Sequence, residues 1–99
     1  MNISYYLEKC SEILGNINKV NSTLDREDKI ESLNVTDDIV SCVNAFKEMK
    51  SIDRYGLSED EIKEIDKKND EIKETIIKLK NKQIYKYNLQ VEKLNKKIK

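Results

Sequence analysis

Apolar residues recur at steps of three and four from Ile3 through Tyr6, Leu7, Cys10, Ile13, Leu14, Ile17, Val20 and Leu24. This is the stripe of an amphipathic helix. Leu24, Ile30 and Leu33 carry a sparser stripe onward, so the pattern predicts a first helix over about 3–33. The polar run Asn21-Ser22-Thr23 competes for backbone hydrogen bonds, and Ser22 with Asp25 could instead cap a new helix. Gly15 interrupts the stripe at a cost of about 1 kcal/mol relative to alanine. It either makes room for a close neighbour or is merely tolerated.

The first clear break is Asn34-Val35-Thr36-Asp37-Asp38. Thr36 is a good N-cap residue, and the two acids complement the positive end of the next helix. Ile39, Val40, Val43, Phe46 and Met49 then mark a second helix over about 36–51. Gly56 suits a left-handed turn conformation in the connection that follows. Ser58-Glu59-Asp60-Glu61 reads as a capping box, with Leu57 as its hydrophobic staple. A third helix over 58–98 starts there, with Ile62, Ile65, Ile72, Ile76 and Leu79 on a heptad seam and Asn69 at the remaining seam position. Ile84, Tyr87, Val91, Leu94 and Ile98 form a second frame, offset by one residue around 81–83. Unbroken, this helix would span about 60 Å at 1.5 Å per residue. A compact domain of this size has a radius of gyration near 13 Å, so the helix must project, bend near Asn81, or find a partner. The predicted fold is an all-α antiparallel helical bundle in one domain, residues 1–99. It has three main helices, or four if the last one breaks at 81–83.

Composition strengthens the helical reading. Proline is absent and glycine occurs twice, so turn punctuation is almost missing. Charged residues are 38% of the chain, against about 25% in typical domains, so much of each helix must face solvent. Cys10 and Cys42 form no closely spaced pair and both fall on apolar stripes. They read as small buried hydrophobes in a reducing compartment, with a Cys10–Cys42 bridge as the lesser alternative. The N-terminus lacks the pattern of a signal peptide, and no apolar run approaches 18 residues. The expected location is the cytoplasm.

Little catalytic chemistry is available. The chain has no histidine, which removes the usual general base and the commonest metal ligand. The acids at Asp37, Asp38 and 59–61 sit at predicted helix starts, where capping accounts for them. Neither glycine belongs to a phosphate-binding loop. The sequence therefore predicts no enzyme, no cofactor and no metal site.

The formal net charge is zero, but its layout is uneven. Residues 78–99 hold eight lysines and one acid, while 57–74 hold eight acids and four lysines. Such a tail can meet nucleic acid, an anionic membrane, an acidic partner, or its own acidic body. Tyr85 and Tyr87 between Lys82 and Lys86 could stack on bases, yet the segment has no arginine to read them. The seam of Ile84, Tyr87, Val91, Leu94 and Ile98 is better explained by helix packing than by nucleic acid. A helix lying on a membrane surface is a further alternative, with no insertion into it. The preferred reading is a protein-interaction module whose last helix presents an apolar face.

The segment LDREDKIESL, residues 24–33, resembles the arginine–acid segment on the first helix of FliT-like flagellar export chaperones. LSEDEIKEIDKKNDEIKETIIKLKNKQIYKY, residues 57–87, is similar to that family's later helix, which opens on a capping box and ends in a lysine-rich stretch with a tyrosine. The resemblance implies a cytoplasmic, non-enzymatic bacterial chaperone. It would sequester a secreted or flagellar client and hand it to the export apparatus. It implies Arg26 and Glu27 as contact residues, beside the apolar face of the last helix. The alternatives are a coiled-coil homodimer with Asn69 fixing its register, or a small nucleic-acid-binding regulator using the lysine-rich tail.

Overall fold

The computed structural model describes residues 2–26, 29–30 and 33–98. Three helices account for most of them: α1 (Ile3–Arg26), α2 (Thr36–Lys50) and α3 (Glu59–Ile98). All three pack on one another. Tyr6 and Cys10 of α1 meet Ile52 and Met49 at the far end of α2, so these two helices are antiparallel. Asn21 and Leu24 accept hydrogen bonds from Lys82 and Lys86 of α3, while Ile17 and Asn18 lie near Thr75 and Lys78, so α1 and α3 run parallel. The bundle is thus up, down, up.

The core follows the predicted stripes. Ile13, Ile17 and Leu24 of α1, Ile39, Phe46 and Met49 of α2, and Ile65, Ile72, Ile76 and Leu79 of α3 are all buried. Both cysteines are free and buried, and burial pushes their thiols above the usual range. Cys10 Sγ sits 3.5 Å from Met49 Sδ. Cys42 lies two turns along α2 from Met49, about 10 Å at 1.5 Å per residue. That is beyond the reach of a disulfide, so the bridge alternative does not hold.

Several boundaries differ from the sequence pattern. α1 runs through 21–23 without a new cap, and Thr23 bonds back to the Lys19 carbonyl. It ends at Arg26 rather than near residue 33: Lys29 and Ile30 are non-helical, and Leu33 is a fully buried anchor in a 3₁₀ turn of the connection. A sparse apolar stripe therefore continued past the helix because a loop residue also needs burial. The residue preceding α2 is Val35, which makes no side-chain cap, and Thr36 is instead the first helical residue. Val35 is itself buried, so packing took precedence over capping there.

Other local signals are realised as written. Ser58 N–H donates to Glu61 Oε1 at 3.0 Å and Glu61 N–H donates to Ser58 Oγ at 3.2 Å, the reciprocal pair of a capping box. Gly56 adopts φ 87°. At Gly15 a Cβ would meet nothing within 4 Å, so the glycine serves no close packing. Gly15→Ala should raise stability by about 0.5–1 kcal/mol by removing backbone freedom from the unfolded chain, read from denaturant midpoints at constant slope.

α3 is one continuous helix of 40 residues. It sets the long axis of a molecule measuring 63 × 19 × 16 Å, with a radius of gyration of 17.2 Å. That exceeds the value of about 13 Å for a compact chain of this length because the end of α3 leaves the body.

Candidate functional site

α3 carries two stripes with different neighbours. Thr75, Lys78, Leu79 and Lys82 lie along α1, against Ile17, Asn18 and Asn21. Lys73, Ile76, Ile77 and Lys80 lie along α2, against Val43, Phe46, Lys47 and Lys50. Continuing the second stripe by threes and fours from 73, 77 and 80 gives 84, 87, 91 and 94. The C-terminal seam is therefore the prolongation of the α2-facing side of α3. The one-residue offset between the two heptad frames turns the apolar face from the bundle centre toward α2.

At that level α2 has ended. Gln83 Nε2 donates to Thr36 Oγ1 at 3.3 Å and to the Leu33 carbonyl at 3.2 Å, which places the first residue of α2 beside Gln83. Beyond it the seam faces Ile30 and Asn34 of the preceding connection only across an open pocket, and α2 no longer covers it. Ile84, Tyr87 and Leu94 are 57%, 41% and 47% exposed, and Val91 is half-buried. An open pocket of about 500 Å³ forms where the seam leaves the body. Ile30, Asn34 and Thr36 line one wall, and Ile84, Tyr87 and Asn88 the other.

Three polar side chains hold α3 at this exit. Lys86 Nζ donates to the Leu24 carbonyl, an acceptor in the last turn of α1. Lys82 pairs with Asp25 and donates to Asn21 Oδ1 at 2.9 Å. The Lys82 ammonium holds the Asp25 carboxyl below the usual carboxylate range. Placing cations at the carbonyl end of α1 also opposes its negative dipole end. Gln83 does the same service for the loop before α2. Part of the lysine-rich segment is thus an internal latch, a role that charge counting could not assign.

The residues singled out in the sequence divide accordingly. Ile84, Tyr87, Val91 and Leu94 lie together on one face of the projecting helix. Arg26 is the last residue of α1 and is exposed, near the latch but on the α1 side. Glu27 and the side chain of Ile98 lie outside the described residues. Asn69 is buried inside the chain's own bundle, so it stands on no free seam.

Among the described residues no group of three or more Cys, Asp or Glu could hold a metal ion, and no helix is long and apolar enough to cross a membrane. No family model, curated protein or solved structure matches the chain.

Proposed function

We propose that the chain is a non-enzymatic helical protein-binding module that takes an amphipathic helix of a client on the apolar face of α3. The observation that carries this reading is the projection of α3 past its latch, with Ile84, Tyr87 and Leu94 uncovered. Exposed apolar side chains aligned at helical spacing, rather than scattered, suit helix-in-groove recognition. The resemblance of residues 24–33 and 57–87 to FliT-like chaperones gives the reading its sharper form. In that form the chain is a cytoplasmic export chaperone holding a secreted or flagellar client for the export apparatus.

The test is capture of client from a lysate of the source organism by the full chain and by Leu94→Asp. The charge stands on the apolar face, about two turns beyond the latch of Lys82, Gln83 and Lys86, which remains intact. A truncation after Leu79 would remove that latch and is a poorer control. The expected result is a secreted or flagellar protein retained by the full chain and reduced about tenfold or more by the variant, since a charge in an apolar contact removes its burial and is left unpaired. Equal retention by both would remove α3 from the binding surface.

A further inference from the structure

The exposed seam begins where α2 stops, on α2's side of α3, and among the described residues no helix covers it. The polarity of an occupant follows from the column it would extend. α2 runs antiparallel to α3, and a helix continuing its column in the same direction would end against α2's N-terminus. That terminus carries exposed Asp37 and Asp38 in its first turn. An occupant with a basic C-terminal end would meet both these acids and the positive pole of α2, which its own negative pole complements.

The chain itself supplies such a helix. The last turns of α3 hold exposed Lys93, Lys96 and Lys97. We propose that, in the free protein, the apolar face of α3 is covered by the same face of a second copy, with the two projecting segments antiparallel and related by a two-fold axis near Val91. In this arrangement Ile84 and Tyr87 of one copy lie beside the C-terminal end of the other's seam. Lys96 and Lys97 of each copy come level with Tyr85 and Lys86 of its partner, within about one helical turn of Asp37 and Asp38.

The flanks of the seam permit this pairing. With Ile84, Val91 and Ile98 at a positions and Tyr87 and Leu94 at d, the e and g positions are Gln83, Asn88, Gln90, Asn95 and Lys97. Four of the five are uncharged amides, so two copies meet without the like-charge clash that the lysine count suggests. Lys93 and Lys96 stand away from the seam. Lys86 is held by the Leu24 carbonyl. A parallel pairing is disfavoured by sterics: below Gln83 the second α3 would run into α2, which already fills that side.

The interface is small. About four turns per copy fall short of the roughly 800 Å² per partner of a standard complex, so the dimer should be reversible and concentration-dependent. The inference rests on the reading of the α3 seam as a docking face, and a client helix would compete with the second copy for it.

Sedimentation equilibrium of the full chain over a wide concentration range tests it. The expected result is a monomer–dimer equilibrium that Leu94→Asp shifts to monomer. Charge reversal tests the polarity: Asp37→Lys with Asp38→Lys, or Lys96→Asp with Lys97→Asp, should each weaken self-association about tenfold, since several pairs of modest strength change sign. Mixing the two variants should restore it, because both ends of the mixed dimer then carry opposite charges. A monomer at every concentration overturns the proposal, as does a dimer whose mixed variants show no rescue. Client capture by a monomer through Leu94 would leave the docking-face reading standing while removing the second copy. Dimer rescue alongside capture that ignores Leu94→Asp would do the reverse.

Discussion

Ile72→Ala is expected to lower the unfolding free energy by about 2–5 kcal/mol, while Ile84→Ala should leave it within about 0.5 kcal/mol. Both residues occupy heptad seam positions of the same helix, and both are isoleucine. Ile72 is fully buried in the core of the bundle, so removing its side chain leaves a cavity that the packed neighbours cannot fill. Ile84 is 57% exposed at the mouth of an open pocket, so its truncation loses little apolar burial within the monomer. Denaturant unfolding followed by helical circular dichroism, at concentrations where the chain is monomeric, reads both values. A loss at Ile84 as large as that at Ile72 would mean that the C-terminal seam is packed in the monomer, contrary to the structure.

Asn69→Leu should stabilise the protein by about 1–3 kcal/mol, the rough cost of a buried polar group without its hydrogen bond. Asn69 is 6% exposed, on the seam between Ile65 and Ile72, both fully buried. Its Oδ1 has no hydrogen-bond partner. Leucine has a similar length and shape, so the substitution exchanges an uncompensated carbonyl for apolar contact without creating a large void. The same unfolding experiment measures the change. A loss of stability would show that the amide makes a bond worth more than the burial of a leucine. Its seam neighbours Ile65 and Ile72 are both apolar and fully buried, and its position inside the body separates it from any register between copies.

The local signals that proved reliable were those requiring only a few adjacent residues. The Ser58–Glu61 capping box and the left-handed Gly56 are set by short-range hydrogen bonding and backbone sterics, which act alike in any tertiary context. The core faces were legible for a similar reason: helical spacing of apolar residues must be buried somewhere. The end of α1 was not legible, because Leu33 continues the spacing while serving a loop. Val35 before α2 was also hidden, since burial took precedence over capping at a position where the sequence offers Thr36.

For the candidate site, sequence alone determined its membership. Ile84, Tyr87, Val91 and Leu94 share a face because 3.6 residues make a turn, whatever surrounds them. The offset from the first heptad frame is also written in the sequence, though its direction has no meaning until the neighbours of α3 are placed. Tertiary structure decided the rest. It put α2 on that side and ended it beside Gln83, so the offset turns the apolar face to where no described helix covers it rather than into the core. It also turned Lys82 and Lys86 back onto the carbonyl end of α1, dividing one basic segment into a latch and a free tip. Charge and periodicity are properties of the chain, whereas which charges find partners depends on where helices stop, and that is settled only by their packing together.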